Sequence, residues 1–299
     1  MILDNCSLCP ICPRRCPDRS QGLCGETDFA HARVAKTMLH HWEEPCVSGE
    51  RGTGAVFFAG CNLRCVFCQN YQISQPVGAA FLPPAPQNPP PEPQNQPPAY
   101  EQVTAPRLAE LFWQLHAEGA ENISLISPTH VLPVARDAIL LAKEQGFTLK
   151  FVWNSNAFEL PGALFAMEGL IDLYLPDLKY ADNCVALAYS GAPAYFRFAT
   201  AAIGEMARQA DVLIRHLVLP GGRRDSMRVL DWIAQNHPDV PVSLMAQYTP
   251  MHRAEEFPSL RRRLTAFEYD SVAQYALSLG LKGYFQQRDS ATADYTPEF

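Results

Sequence analysis

The chain of 299 residues is 47% hydrophobic, enough for a large core in one or two domains, and its net charge of -7 argues against nucleic acid as a partner. No apolar run is long enough to cross a bilayer, and residues 1–10 lack the regions of a signal peptide, so we expect no membrane association and a cytoplasmic location. In that reducing compartment, ten cysteines indicate metal ligation rather than disulfides.

Residues 1–54 are predicted to form a Cys-rich N-terminal extension that binds metal. Its beginning is rich in proline, which disfavours regular elements, and it carries five thiols: Cys6, Cys9, Cys12, Cys16 and Cys24. The spacing from Cys6 to Pro17 matches a bacterial ferredoxin run, whereas the last four cysteines form an alternative four-thiolate set. We expect this set, Cys9, Cys12, Cys16 and Cys24, to hold a second metal site, either an iron–sulfur cluster or zinc.

The first predicted strand covers residues 55–59 and ends at Gly60. Three cysteines follow at once in the spacing C-x-x-x-C-x-x-C: Cys61, Cys65 and Cys68. We therefore expect a metal site on a loop at the carboxyl end of this strand. Three thiolates are one fewer than a closed zinc or iron–sulfur site needs, which leaves one metal position open for another ligand. Before the strand, the adjacent carboxylates Glu43 and Glu44 are expected to face solvent.

Residues 76–99 contain ten prolines in 24 positions. Such a composition favours polyproline II and cannot build a core. We expect a disordered insertion that projects from the surface, with a flap or a partner-docking arm beside the metal loop as the alternative.

From residue 103 onward, apolar strands alternate with amphipathic helices. Five further strands are predicted at residues 122–126, 149–153, 170–175, 212–219 and 242–246. Among the helices, one covers residues 195–209, one is capped by Asp225, and one begins with the capping box of Thr265 and Glu268. This pattern predicts an α/β fold, a partial (β/α)6 TIM-like barrel over residues 55–290.

Polar residues follow each predicted strand. They are the cysteine motif and residues 127–130, 154–156, 177–179, 220–222 and 247–249. In barrels the chemistry gathers at the carboxyl ends of the strands, so we expect these residues to form one site on one rim. Arg215 and His216 lie within a strand; Arg215 is a candidate to point into the barrel, and His216 is expected to be a core residue.

The segment GCNLRCVFCQNY, in which Phe67 precedes the third cysteine, resembles the signature of radical S-adenosylmethionine (SAM) enzymes. Five blocks resemble a narrower group, the proteins similar to pyruvate formate-lyase activating enzyme: EEPCVSGERGTGAVFFAGCNLRCVFCQNYQIS, LISPTH, YLPDLKY, IRHLVLPGG and SLMAQYTP. The resemblance covers nearly the whole chain apart from the Pro-rich insertion.

The resemblance implies that Cys61, Cys65 and Cys68 bind a [4Fe–4S] cluster and that SAM is the ligand of its fourth iron. The reduced cluster would cleave SAM to methionine and a 5′-deoxyadenosyl radical, which takes a hydrogen atom from the substrate. The implied cofactor-binding residues are Ser127 and Thr129 near the methionine part, Asn154 near the ribose, and Asp177, Lys179 and Arg215, which contact the methionine carboxylate or order its neighbours. Phe67, in the cysteine motif, is also implied to bind the cofactor.

As partners, the resemblance implies a reductant such as flavodoxin or ferredoxin and a glycyl-radical protein as substrate. Two features differ from characterised activating enzymes: the Cys-rich N-terminal segment, and the QYTP block in place of a His-bearing loop. They indicate a different electron route or substrate. The alternatives to glycyl-radical activation are radical SAM modification of a small molecule or RNA, and a non-catalytic iron–sulfur or zinc protein that transfers electrons or scaffolds a complex.

Overall fold

The computed structural model of the chain describes residues 8–75 and 100–286. Cys6, the Pro-rich segment 76–99 and the last residues of the predicted barrel, 287–290, lie outside the described residues. The strands are β1 (Ala32–His40), β2 (Thr53–Phe58), β3 (Glu101–Val103), β4 (Asn122–Ile126), β5 (Lys150–Ser155), β6 (Leu173–Pro176), β7 (Asp211–Val212), β8 (Ile214–Leu217), β9 (Val242–Met245) and β10 (Gly283–Phe285). The helices are α1 (Pro45–Ser48), α2 (Tyr71–Ser74), α3 (Ala105–Ala117), α4 (Leu132–Glu144), α5 (Pro161–Leu164), α6 (Asn183–Ser190), α7 (Tyr195–Gln209), α8 (Arg223–Asn236) and α9 (Ala266–Ser278).

The strands form a seven-stranded sheet and a three-stranded sheet. In the larger sheet the order is β3-β1-β2-β4-β5-β6-β7, and in the smaller one it is β10-β9-β8. Strands β2, β4, β5, β6 and β7 run parallel, as do β8, β9 and β10, whereas β1 is antiparallel to both of its neighbours. A bridge between Asp177 and Arg215 links the end of β6 to β8. The molecule therefore has a mixed α/β fold with a seven-stranded central sheet.

The central parallel strands are buried on both faces. Every residue of β2 and of β4 is buried. Along β2, Val56 and Phe58 belong to the large apolar cluster shared with the helices, whereas Ala55 and Phe57 pack with Ile126 on the opposite face. Parallel strands covered on both faces are mostly apolar, and the small polar side chain of Ser124 in the middle of β4 is fully buried.

The helices agree with the predicted pattern, with one correction. Helix α7 has the predicted bounds, and the capping box of Thr265 and Glu268 is present at the start of α9. Asp225, however, does not cap α8, because the N-cap residue is Gly222 and Asp225 lies in the first turn. Its carboxylate instead accepts hydrogen bonds from two backbone N–H groups in the loop after β6, those of Ala181 at 3.2 Å and Asp182 at 2.8 Å.

Two strands and one boundary differ from the expected organisation. Strands β1 and β3 were not expected, and β1 lies inside the predicted N-terminal extension while pairing with β2. The expected boundary at 54/55 falls within β2. The predicted strand 212–219 is divided between β7, which pairs with β6, and β8, which pairs with β9. The six-unit partial barrel stays a prediction.

None of the helices within residues 8–75 and 100–286 is both long and apolar enough to cross a membrane. The two longest, α7 and α8, have 15 and 14 residues. Each carries a polar face together with the apolar residues that it packs onto the sheet, such as Ile203 of α7 and Ile233 of α8.

Candidate active site

The Cys loop, residues 60–70, begins where β2 ends. Gly60 has a φ of 93°, and a Cβ at this position would collide with the carbonyl oxygen of Cys24. Only glycine allows this approach, so the N-terminal segment is in direct contact with the start of the loop. Asn62 anchors the loop on the residues that follow β5, because its Oδ1 accepts a hydrogen bond from Nδ2 of Asn156 at 2.8 Å.

All three thiols of the Cys loop line one cleft. Each has a hydrogen-bonding neighbour: the backbone N–H of Leu63 at 3.4 Å from Cys61, the Ser190 hydroxyl at 3.0 Å from Cys65, and the Ser74 hydroxyl at 3.4 Å from Cys68. Burial raises the pKa of the Cys65 thiol, and it raises that of Cys68 to about 12. A metal would have to displace these thiol protons on binding.

A group of charged and polar residues, the strand-end network, lines the same cleft. Arg215 of β8 is its centre. Its Nε donates to Asp177 at 2.9 Å, its Nη1 donates to Glu43 at 2.8 Å, and its Nη2 donates to Oδ1 of Asn154 at 2.5 Å. Lys179 donates to the second oxygen of Asp177 at 2.7 Å. The two carboxylates and the two cations therefore lie together in one buried position. Most of their donors and acceptors form hydrogen bonds within this network.

The electrostatics of the two carboxylates differ. Burial opposes ionisation of Asp177, but the adjacent Arg215 and Lys179 outweigh it and lower the pKa of this carboxyl. Burial also opposes the charge of Lys179, and the ionised Asp177 nonetheless raises the pKa of that ammonium. For Glu43, burial dominates over the attraction of Arg215, and its pKa rises to about 7. Asp177, Lys179 and Arg215 are therefore charged at neutral pH, whereas Glu43 titrates there.

The expectation that Glu43 faces solvent was wrong. Its side chain is 12% exposed and binds Arg215 and Asn154. The residue lies between β1 and α1, and the antiparallel addition of β1 to β2 brings it over the cleft. Nothing in the local sequence around Glu43 marks this position, because Arg215 is 172 residues away.

Three of the four other residues that were predicted to bind SAM line the cleft. Phe67, Ser127 and Asn154 line the cleft, but Thr129 is not among its lining residues. Ser127 has a φ of 56°, a left-handed conformation that is unusual for serine, and its N–H donates to the carbonyl of Asn154 at 2.9 Å. Thr129 is 2% exposed in the turn behind the cleft.

Not all of the strand ends meet at the cleft. The block at 247–249 does line it, and Tyr248 packs edge-on against Phe67 with ring centroids 6.0 Å apart. The block at 220–222 instead borders a neighbouring depression that shares Lys179 with the cleft. His216 is 2% exposed, and its Nδ1 donates to the Leu178 carbonyl at 2.7 Å, as expected for a core histidine.

A second cavity, the N-terminal thiol cavity, lies on the other side of Asn62. It is lined by Cys9, Cys12, Cys16 and Cys24, with Arg19 and Asn62. His130, at the end of the predicted block 127–130, borders this cavity rather than the cleft. Among residues 8–75 and 100–286, no three His, Cys, Asp or Glu side chains are gathered so that they could hold a single metal ion. The thiols of both sets are instead spread around the spaces that they line.

Comparisons with known proteins can now be set beside this geometry. No family model matches the chain. An uncharacterized protein of Methanocaldococcus jannaschii is 27% identical to it over 274 residues, which cover 90% of this chain and 74% of that protein.

Three solved structures are similar in fold. One is a domain of pyruvate-formate lyase-activating enzyme from Bacteroides vulgatus, with 15% identity, a TM-score of 0.46, and coverage of 56% of this chain and 100% of that chain. The second is SuiB of Streptococcus suis bound to S-adenosylmethionine, with 12% identity, a TM-score of 0.47, and coverage of 76% and 45%. The third is anSMEcpe with bound AdoMet, with 10% identity, a TM-score of 0.50, and coverage of 76% and 60%.

The likeness to anSMEcpe, a radical SAM enzyme, carries the comparison, and at 10% identity it bears on the fold alone. The chain therefore has the mixed α/β fold of radical SAM enzymes, and the predicted resemblance is confirmed at the level of the fold. It spans about 60% of anSMEcpe and 45% of SuiB. A fold alone does not define an activity, which has to be argued from the site.

Proposed function

We propose that this protein is a radical SAM enzyme, which binds a [4Fe–4S] cluster through Cys61, Cys65 and Cys68 and cleaves SAM reductively. One observation carries the proposal: the three thiols of the Cys loop line the same cleft as Lys179 and Arg215. A three-thiolate site leaves one iron without a protein ligand. The two cations stand in the same cleft, where the carboxylate of a ligand on that iron would need a counter-charge.

The chemistry of the donor set fits such a cluster. The three sulfurs are spread along one wall of the cleft, and each has a hydrogen-bonding neighbour close by. Hydrogen bonds to cysteine sulfurs stabilise the anionic form and tune iron–sulfur clusters. Apolar side chains, among them Leu63 and Phe67, line the same cleft and limit the access of water.

The residues of the strand-end network supply the positions that SAM requires. We assign the methionine carboxylate to Lys179 and Arg215, with Asp177 holding both cations in place through hydrogen bonds of 2.7 and 2.9 Å. Asn154 presents its amide toward the same cleft and is assigned to the ribose. Ser127 is assigned to the methionine part, and its left-handed backbone fixes its direction. Thr129, which is buried behind the cleft, would act by supporting this turn.

When bound, the cluster supplies the electron that divides SAM into methionine and a 5′-deoxyadenosyl radical. The chain contributes binding, orientation and protection from water rather than proton transfer. Arg215 and Lys179 would hold the methionine carboxylate of SAM, and Cys61, Cys65 and Cys68 would hold the cluster. Phe67 and Tyr248, packed edge-on at 6.0 Å, cover part of the cleft wall.

We further propose that the two sheets belong to one partial barrel of six βα units. The bridge from Asp177 to Arg215 joins them between the carboxyl end of β6 and the first half of β8. On the inner side, Tyr284 of β10 packs against a buried cluster that contains Val152 of β5 and Leu175 of β6. A side chain from the last strand that reaches the middle strands supports a curved arrangement in which the strand ends face one another.

For the molecule that receives the radical, we propose a glycyl-radical protein. The support comes from the lining of the cleft, where Trp42 is 59% exposed. Trp42 also borders an adjoining space that reaches β10. Large aromatic side chains at the edge of a cleft provide a surface on which a peptide segment can pack.

The test is anaerobic loading with iron and sulfide, followed by reduction in the presence of SAM. We expect 5′-deoxyadenosine and methionine from the wild type and none from the variant Cys61→Ala, Cys65→Ala, Cys68→Ala. A matched control, Cys46→Ser with Cys184→Ser, removes two exposed thiols and should keep the activity. A correctly loaded wild type that forms no 5′-deoxyadenosine would refute the proposal. Recovery of a glycyl-radical protein in an anaerobic pull-down, with a glycyl radical signal after reaction, would support the substrate assignment.

A further inference from the structure

The N-terminal thiol cavity is arranged as a binding site. The backbone N–H of Cys9 donates to the carbonyl of Cys16 at 2.8 Å, which folds the segment back on itself. All four cysteines of the set then border one space. Gly22 closes one side, and a Cβ there would lie 3.3 Å from the sulfur of Cys16 and 3.6 Å from that of Cys24. Four thiols around one space match the four-cysteine ligand set of an iron–sulfur cluster.

Cations surround this cavity and offset the charge of four thiolates. The Nη1 of Arg19 lies 3.7 Å from the sulfur of Cys9. Arg14 is largely buried, and it interacts electrostatically with Cys12 of this set and also with Cys61 of the Cys loop. Buried anionic groups require such partners. Arg14 therefore connects the electrostatics of the two thiol sets.

Asn62 lies between the two thiol sets. Its side chain borders the N-terminal thiol cavity and interacts with the Cys12 thiol. In the sequence it directly follows Cys61, whose sulfur lies 3.9 Å from its Oδ1. One residue, Asn62, therefore lies between Cys12 of the N-terminal set and Cys61 of the Cys loop.

We propose that the N-terminal thiol cavity holds a second iron–sulfur cluster, which passes single electrons through Asn62 to the cluster at the Cys loop. A low-potential one-electron carrier protein, of the flavodoxin or ferredoxin class, is oxidised at the second cluster. That cluster is in turn oxidised by the cluster at the Cys loop, and no proton moves. The electron route rests on the proposed radical SAM function, whereas the presence of the second cluster does not.

The first measurement is metal content after anaerobic loading. The variant Cys9→Ser, Cys12→Ser, Cys16→Ser, Cys24→Ser, called the N-terminal variant, should lose about half of the iron and sulfide. The Cys61→Ala, Cys65→Ala, Cys68→Ala variant should lose the other half, and its remaining cluster should be visible by electron paramagnetic resonance after reduction. The exposed-thiol control, Cys46→Ser with Cys184→Ser, should keep all of the iron and sulfide of the wild type. Unchanged iron in the N-terminal variant, or zinc in place of iron in the Cys-loop variant, would overturn the proposal.

The second measurement separates the electron route from the activity. In the N-terminal variant, reduction of the Cys-loop cluster by reduced ferredoxin should slow several-fold, while reduction by titanium(III) citrate should keep its wild-type rate. Equal rates with reduced ferredoxin would refute the route. Failure of the radical SAM function would look different, since both clusters would then load and accept electrons without 5′-deoxyadenosine being formed. The Cys-loop variant leaves the N-terminal set intact, so it tests the second cluster even if the N-terminal variant folds poorly.

Discussion

Glu43 places a second carboxylate beside Arg215 inside the strand-end network. With its side chain 12% exposed, it loses most of the water that stabilises its charge. This burial raises its pKa from 4.5 to about 7, even though Arg215 lies 2.8 Å away. Because the folded-state pKa is above the unfolded one, folding favours the protonated form. The resulting stability is fully present below the unfolded pKa and is lost as the pH rises through about 7.

Replacement of Glu43 by glutamine should therefore change the pH dependence of stability. Glutamine resembles the protonated side chain, so Glu43→Gln should gain stability relative to wild type between about pH 5 and about pH 8, by on the order of 2 kcal/mol. Urea unfolding of the metal-free proteins at these two pH values measures the difference. Glu50→Gln, which alters an exposed residue, serves as the control. Parallel stability curves for wild type and Glu43→Gln would contradict the prediction.

Much of the candidate site could be predicted at this scale because it is local in the sequence. The Cys loop is a compact motif, and Asp177 and Lys179 directly follow a strand. The role of Glu43 in the site could not be predicted in this way, because its partner Arg215 is 172 residues away in the sequence. In addition, two adjacent glutamates, Glu43 and Glu44, are typical of a solvent-exposed surface. The convergence of such residues depends on which strands pair, and composition does not reveal that.

At the scale of elements, the start of α9 is joined to the loop after β8 by one carboxylate. Glu268 accepts a hydrogen bond from the N–H of Thr265 at 3.0 Å and completes a capping box. It also accepts from the N–H of Gly221 at 2.7 Å and from both outer nitrogens of Arg262 at 2.7 Å. The hydrogen bond with Arg262 lowers the pKa of the Glu268 carboxyl, although this side chain is partly buried. The helix cap thus also fixes the loop that carries Gly221.

Removal of this carboxylate should destabilise the protein. We expect Glu268→Ala to lower the free energy of unfolding at neutral pH by about 1–2 kcal/mol. Because the folded-state pKa is depressed, the contribution is present above the unfolded pKa and is lost as the pH falls through the folded-state value. Urea unfolding at about pH 7 and about pH 3.5 should therefore show a smaller difference at the lower pH. Glu118→Ala, which changes an exposed glutamate after α3, is the control; a constant difference would speak against this linkage.

The parallel strands and long helices were predictable because their patterns are strong. Strands β2, β5 and β6 contain apolar runs, and α7 and α9 have clear apolar stripes or caps. Strand β1 was missed because it is only half-buried along most of its length and its residues do not alternate cleanly. Strand β3 has three residues, which is too short for any periodic signal. Strand β1 owes its structure to pairing with β2 and β3, and β3 owes its structure to pairing with β1.

At the scale of the whole molecule, arginines attach the N-terminal segment to the sheet. Arg64 of the Cys loop donates to the carbonyl of Leu23, and Arg33 of β1 donates to that of Cys24 at 2.8 Å. Arg14 of the segment donates to the carbonyl of Gly191 at 2.9 Å. Apart from Ile11, which is buried in the large apolar cluster, these hydrogen bonds to backbone carbonyls hold the segment, so we expect its docking to be separable from the stability of the sheet.

The same attachment brings the two thiol sets together. Arg64 also donates to the carbonyl of Cys61 at 3.1 Å, so one side chain contacts both the Cys loop and the N-terminal segment. Gly60 allows the backbone of Cys24 to approach the loop closely. An electron path between the sets would depend on this docking, since the thiols of the N-terminal segment reach Asn62 only in the docked arrangement.

Arg64→Met should loosen this docking more than it destabilises the sheet. The variant leaves the carbonyl of Leu23 without its donor, so local opening of residues 8–25 becomes easier while the buried parallel strands keep their contacts. Limited proteolysis of metal-free protein, with cleavage sites mapped by mass spectrometry, should show several-fold faster cleavage within residues 8–25 than in wild type. Arg51→Met, which removes an exposed ion pair with Glu121, is the matched control. If both variants are cleaved alike, docking does not depend on Arg64.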